Sequence, residues 1–336
     1  MSPPPGGLTV SRGPAGQNRR VPPLRIVFAG SPAAAVPSLR RLIAGPHHVI
    51  AVVTREDAPL GRKRVITQTP VAEEAERAGI PVFKANRLGP VTDELQALGA
   101  DLGVIVAYGG LIREPLLSGP RLGWINLHFS LLPRWRGAAP VQRAIMAGDS
   151  ETGAAVFQLV PELDAGDVYA TLRRPIGAHE TAEHLLAALA DSGAELLDSV
   201  VDALADGTAV GRAQEGDVTL APKLVLADGK LDWSQPADRI DARVRATFPE
   251  PGAFTKLGDE RIKVLDAVVA HGAPRLDPGR IELRAGRLLV GTATDPIEML
   301  TLHPAGKRPM RAADWWRGRP PGAPDRATID PPGSAP

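Results

Sequence analysis

Leu24-Arg25-Ile26-Val27-Phe28-Ala29-Gly30-Ser31-Pro32 is a short apolar run that stops at a Gly-Ser-Pro turn, the form of a buried strand with an abrupt end. Working outward, a helix is expected from about Ala33 to Ala44, where Gly45-Pro46 closes it, and Val49 to Val53 is a second apolar strand. Strand, helix, strand is the repeating unit. It returns as Val71 to Ala78 (helix), Ile80 to Phe83 (strand), Val91 to Leu98 (helix) and Leu102 to Ala107 (strand), and Gly123 to His128 adds one more strand. Helices that alternate with apolar strands predict an α/β fold: a Rossmann-like, mostly parallel sheet with crossover helices.

Farther along, Ala139 to Ala147 reads as a helix, Ala154 to Val160 and Asp167 to Leu172 as strands, and Thr181 to Leu204 as helix again. After Asp206 the apolar pattern lapses. Past Pro222 the texture changes to short alternating segments such as Arg261-Ile262-Lys263-Val264-Leu265 and Arg287-Leu288-Leu289-Val290-Gly291, spaced by Gly and Pro. That texture predicts a smaller C-terminal antiparallel β domain or β-barrel. The expected organisation is a tail over 1–23, a catalytic domain over 24–205, a linker over 206–222, a β-barrel over 223–319 and a second tail over 320–336. Both tails are Pro- and Gly-rich and lack the apolar side chains that offset the entropy of ordering.

Composition excludes several kinds of chemistry. The 336 residues contain no cysteine, which removes disulfides, thiolate metal sites and cysteine nucleophiles. Lys and Arg number 39 against 38 Asp and Glu, so the net charge is +1 and a polyanion can be met only by a local patch. The apolar stretch Leu102 to Ile112 is too short to span a bilayer, and no charged-then-apolar leader opens the chain. A cytoplasmic protein without a membrane partner is expected. Gly30-Ser31-Pro32 lacks the further glycines of a dinucleotide fingerprint, and Pro32 removes an amide such a loop needs. The seven histidines form no helical ligand pair, so no metal is expected.

In a strand, alternate side chains share a face, so Asn126 and His128 project together while Ile125 and Leu127 face the other way. Such a pair fits either a solvated strand end or a site. Its place at the C-terminal end of a parallel strand, followed by the loop Ser130-Leu131-Leu132-Pro133, favours a site, because open α/β sheets bind ligands there. The turn Pro161-Glu162-Leu163-Asp164-Ala165-Gly166-Asp167 carries three carboxylates that turn formation alone explains. Arg62-Lys63-Arg64 lies in a polar loop running to Thr69 and suits an anion or a solvated face. Lys307, Arg308, Arg311, Arg317 and Arg319 form a second basic set around Trp315-Trp316, which suits an RNA surface or a packed terminal helix.

The run from Asn126 through Ser130-Leu131-Leu132-Pro133-Arg134-Trp135-Arg136-Gly137-Ala138-Ala139-Pro140 resembles the signature of the methionyl-tRNA formyltransferases. Its first half is similar to the wider folate-dependent formyltransferases, and its Arg-Trp-Arg-Gly-Ala-Ala-Pro half to the tRNA enzymes. The likeness continues through Phe28 to Pro32, Ala107-Tyr108-Gly109, Leu163 to Asp167, Ala221-Pro222-Lys223 and Leu302 to Met310. Ser31, Phe129 and Gly110 to Arg113 depart from the common pattern without removing a catalytic type. The resemblance implies a catalytic trio of Asn126, His128 and Asp164 and a tetrahydrofolate site lined by Ser130, Leu131, Leu132 and Pro133. It also implies tRNA contacts from Arg62, Arg64, Lys223, Lys307 and Arg308, and an OB-like form for the C-terminal barrel. The implied reaction moves the formyl group of 10-formyltetrahydrofolate to initiator methionyl-tRNA, with a monomer as the expected state. A formyltetrahydrofolate hydrolase or a transferase to a small amine is the alternative.

Overall fold

A computed structural model describes residues 9–10, 23–61 and 63–328. The chain divides into two compact units. One comprises Met1–Pro140, Glu151–Pro175 and Leu186–Ala221, and the other Val141–Ser150, Ile176–Leu185 and Pro222–Pro336.

The strands of the first unit are Thr9–Val10 (β1), Arg25–Gly30 (β2), His48–Thr54 (β3), Ala58–Leu60 (β4), Val65–Thr67 (β5), Val82–Lys84 (β6), Leu102–Val106 (β7), Trp124–His128 (β8), Glu151–Gln158 (β9) and Val168–Pro175 (β10). Helices Val36–Ala44 (α1), Pro70–Arg77 (α2) and Thr92–Ala97 (α3) alternate with them; of the next two helices, Pro140–Ala147 (α4) belongs to the second unit from Val141 on, and Ala182–Asp206 (α5) to the first from Leu186 on. Eight strands form one sheet in the order β1-β10-β9-β8-β7-β2-β3-β6. The stretch from β8 to β6 is parallel, and β9, β10 and β1 add antiparallel pairs at one side. All five residues of β7 are buried, as are Ile26 to Ala29 of β2, which is why these central strands read as continuous apolar runs rather than alternating ones. The chain winds outward from β2 through β3 to β6, then returns to place β7 on the other side of β2. The winding reverses there, and the C-terminal ends of β2, β7 and β8 border the crevice where such sheets bind ligands.

The second unit holds Ala237–Thr247 (α6), strands Ala253–Leu257 (β11), Glu260–Val269 (β12), Ile281–Arg284 (β13), Arg287–Val290 (β14), Ile297–Pro304 (β15) and Met310–Arg311 (β16), and Ala312–Arg317 (α7). The sheet is antiparallel, in the order β11-β12-β15-β14-β13, with β16 on β15. Trp233, Ile240, Val264, Leu288, Met299, Leu302 and Trp315 belong to its core. The second unit is thus an antiparallel sheet, as expected; among the described residues no ladder pairs its end strands β11 and β13 directly.

Four segments differ from the sequence expectation. The polar loop before Thr69 is a two-stranded hairpin, β4 with β5, whose Leu60, Val65 and Ile66 are exposed. Within the expected N-terminal tail, Thr9 and Val10 pair with Thr171 and Ala170 of β10. The expected linker is ordered and belongs to the first unit as far as Ala221. The described part of the expected C-terminal tail, residues 320–328, bonds to both sheet ends: Asp325 accepts from the Ile281 N–H, Ala327 donates to Gly279, and Thr328 donates to Lys256. Ala327 is buried in the core of that unit, which explains why this segment is ordered despite its composition. Among the described residues no helix is long and apolar enough to cross a membrane.

Candidate active site

Asn126 and His128 occupy β8, where Asn126 registers with Ile105 of β7 and His128 with Ala155 of β9. The strand alternation aims them to one face, and the following loop returns over it. Trp135 takes a left-handed backbone conformation (φ 63°), and its carbonyl lies 2.8 Å from His128 Nε2. A carbonyl only accepts, so Nε2 carries the hydrogen and the neutral ring offers the lone pair of Nδ1. That nitrogen faces Asp164 Oδ2 at 3.8 Å. His128 is 6% exposed, and the edge of its ring meets Phe157. Burial pushes its pKa below the ordinary histidine value, and it outweighs the attraction of Asp164 and the bond to Trp135, which pull the other way.

Asp164 is also left-handed (φ 47°) and sits between β9 and β10. Its Oδ2 accepts the Gly137 N–H at 2.8 Å, so the carboxylate is fixed by the same loop that carries the Trp135 carbonyl. Glycine is required at 137: φ is 126° and a Cβ would stand 2.7 Å from the Ala221 carbonyl oxygen. Asn126 is half-buried, and its side-chain amide makes no hydrogen bond among the described residues. The centre thus holds a free amide donor, a neutral imidazole with an exposed lone pair, and a carboxylate ready to pair with the imidazolium.

A third segment completes it. Gln214 donates from Nε2 to the carbonyls of Asp164 (2.7 Å) and Gly166 (2.9 Å), while its Oε1 accepts from Nε and Nη2 of Arg136. Thr219 and Ala221 bond to the backbone of Trp135, Arg136 and Ala139. Residues 206–222 were expected to be a linker, and a single Gln among Gly, Ala and charge carries no local sign of this role.

The formyl transferase family model matches residues 24–201, and the formyl transferase C-terminal domain model matches residues 223–320. A methionyl-tRNA formyltransferase of Clavibacter sepedonicus is 60% identical over 296 residues, 88% of this chain and 97% of that protein. Another from Mycobacterium sp. (strain KMS) is 49% identical over 299 residues, 88% of this chain and 97% of its own. The chain belongs to the methionyl-tRNA formyltransferase family. Among solved structures, a sugar 3N-formyl transferase, WlaRD, crystallised with dTDP and 5-N-formyl-THF, superposes with a TM-score of 0.63 at 15% identity, covering 85% of this chain and 99% of that one. HypX from Aquifex aeolicus, in complex with tetrahydrofolic acid, gives a TM-score of 0.55 at 17% identity over 87% of this chain and 46% of its own.

In this formyltransferase the other expected site residues fall in different places. Ser130 is fully buried, and its hydroxyl donates to the Arg134 carbonyl at 2.6 Å, so it closes the loop from within. Leu131 and Leu132 are partly exposed, whereas Pro133 is buried. Arg64 lies at the tip of the β4–β5 hairpin, and Arg62 lies outside the described residues. Lys223 is exposed at the start of the Pro222–Pro336 stretch of the second unit, and exposed Lys307 and Arg308 occupy the turn between β15 and β16. Among the described residues no group of three or more His, Asp and Glu side chains is placed to hold a metal ion.

Proposed function

We propose that Asn126, His128 and Asp164 transfer the formyl group of 10-formyltetrahydrofolate to the α-amino group of initiator methionyl-tRNA, in the cytoplasm. The observation that carries this reading is the Nδ1 lone pair of a buried, neutral His128 facing Asp164, beside the unengaged amide of Asn126. The amine, with a pKa of about 7.7, has a substantial neutral fraction near neutrality, and that fraction is the nucleophile. It attacks the formyl carbon and forms a tetrahedral intermediate with an oxyanion and a positive nitrogen. His128 Nδ1 takes the proton from that nitrogen, and the imidazolium pairs with Asp164. The Asn126 amide and the new Nδ1–H donate to the oxyanion. Collapse breaks the bond from the formyl carbon to the folate nitrogen, which receives the proton, and no acyl-enzyme forms.

Leu131, Leu132 and Pro133 bear on the folate through the shape of their loop, with Ser130 as its internal support. For the acceptor, membership in the tRNA-formylating family and the second unit favour tRNA over a small amine. That unit is read as an OB-like support for tRNA, with Lys223, Lys307 and Arg308 on it, and Arg64 on the hairpin, as phosphate contacts together with Arg62. The monomer is retained as the working state. The test is formation of formyl-methionyl-tRNA from 10-formyltetrahydrofolate, with elongator methionyl-tRNA and free methionine as controls. Asn126→Ala and His128→Ala are expected to lower kcat about 10²- to 10³-fold while folate binding holds. Parent turnover in either folded variant, or equal formylation of free methionine, overturns the reading.

A further inference from the structure

We propose that Gln214 is a positioning residue for this reaction, holding Asp164 at its working distance from His128 by tying the Asp164 loop to Arg136. The inference rests on the catalytic reading of Asp164. All four bonds of the Gln214 amide are directed: two N–H bonds go to the carbonyls of Asp164 and Gly166, and the oxygen receives two N–H bonds from one guanidinium. Only an amide suits both ends. A carboxylate would satisfy Arg136 but oppose two carbonyls, and a cation would do the reverse.

The loop that this amide grips is closed at its base by the Gln158 N–H on the Asp167 carbonyl, and within that closure it is Gln214 and Gly137 that hold Asp164. Asp164 is left-handed, its carboxylate reaches Gly137 N–H across to the other loop, and both loops are connections whose geometry depends on such cross-links. Arg136 is itself held by backbone bonds to the strap that carries Gln214, with its N–H on the Thr219 carbonyl at 2.9 Å and its carbonyl accepting from Ala221 at 2.7 Å. Arg136, Gly137, Asp164 and Gln214 therefore close a ring around the face of His128 that carries Nδ1. Opening the ring at Gln214 frees the loop carbonyls and lets Asp164 shift, while every group that touches substrate keeps its chemical identity. A shift of about 1 Å at a reacting centre costs on the order of 10²-fold in rate.

The test compares Gln214→Met, which keeps length and volume without hydrogen bonds, with Gln214→Glu, which keeps the link to Arg136 and loses both donors. Both are expected to lower kcat by about 10- to 100-fold with little change in folate affinity, which is measured by direct titration. In Gln214→Met the His128 titration, followed by NMR of the imidazole in the free protein, is expected to move to lower pH, because the attraction of Asp164 weakens while burial remains. A structural role alone would lower the melting temperature of Gln214→Met without moving that titration. Parent kcat in folded Gln214→Glu, or an unmoved His128 titration in Gln214→Met, overturns the inference. Asp164→Asn is measured beside them. If it is impaired while both Gln214 variants are intact, this inference alone fails, whereas an unimpaired Asp164→Asn removes the catalytic reading and this inference with it.

Discussion

The direction of the His128 shift sets what pH does to the reaction. Burial favours the neutral ring and Asp164 favours the imidazolium; burial prevails, so the base is in its working form down to pH values below the ordinary histidine range. Acidification through that lowered pKa protonates Nδ1 and stops the reaction, which places the His128 limb of kcat/KM below about pH 6.5, under the limb that the acceptor amine sets near its own pKa of about 7.7. Asp164→Asn removes the carboxylate charge that favours the imidazolium, so the pKa falls further and the limb moves to lower pH. The plateau rate falls as well, since the imidazolium formed in the intermediate loses its partner. Both changes are read from one pH–rate series on the folded variant, and a limb that stays in place returns Asp164 to a turn residue. Of this centre, strand alternation made Asn126 and His128 legible, because their shared face follows from a period of two. Asp164 was assigned through family resemblance alone: its partner Gly137 is 27 positions away and no local pattern encodes that pairing.

At the level of elements, what was legible in the sequence is what packs through apolar periodicity. Strands β2, β3, β7 and β8 were expected within a residue or two because each buries a continuous run. Segments held by single hydrogen bonds were not. The 206–221 strap joins residues 44 to 86 positions away through amide, hydroxyl and backbone groups, and its Val210, Val218 and Leu220 are exposed, so it has the composition of a linker. The β4–β5 hairpin likewise exposes its apolar side chains. This dependence on close approach gives a test at Gly137, where the strap and the catalytic loop meet. Gly137→Ala puts a Cβ against a backbone oxygen that cannot swing away, in a conformation L residues rarely adopt, and it is expected to cost about 1–3 kcal/mol of stability. It also moves the N–H that fixes Asp164, so kcat falls with it. Gly79→Ala is the control: φ there is 70° but nothing lies within 4 Å, so the backbone cost of about 1 kcal/mol comes without a change in kcat. Urea unfolding of both variants, with kcat measured alongside, separates backbone strain from displacement of the Asp164 loop.

For the molecule as a whole, a net charge of +1 means that a tRNA is drawn by patches, and affinity depends on which cations meet phosphate. A shortened chain is a poor way to find them. An end at Asp217 would remove Thr219 and Ala221, whose bonds hold Trp135 and Arg136, and would damage the candidate centre along with any tRNA surface. Charge reversal in the intact chain avoids this. Lys307 and Arg308 are exposed, and among the described residues only the Lys307 backbone is engaged there, its carbonyl meeting His303 Nε2 and its N–H meeting Pro304. Lys307→Glu with Arg308→Glu is therefore expected to leave the fold and folate affinity unchanged. If the two side chains neutralise phosphates, tRNA affinity falls, and the slope of log affinity against log salt becomes shallower by roughly one for each phosphate no longer neutralised. The weakening is then largest at low salt and shrinks as salt rises, which distinguishes missing phosphate neutralisation from a distorted surface. Measuring tRNA binding at several salt concentrations for the parent and the double variant decides it. Parallel slopes with equal affinity would remove this turn from the tRNA surface, whatever the acceptor proves to be.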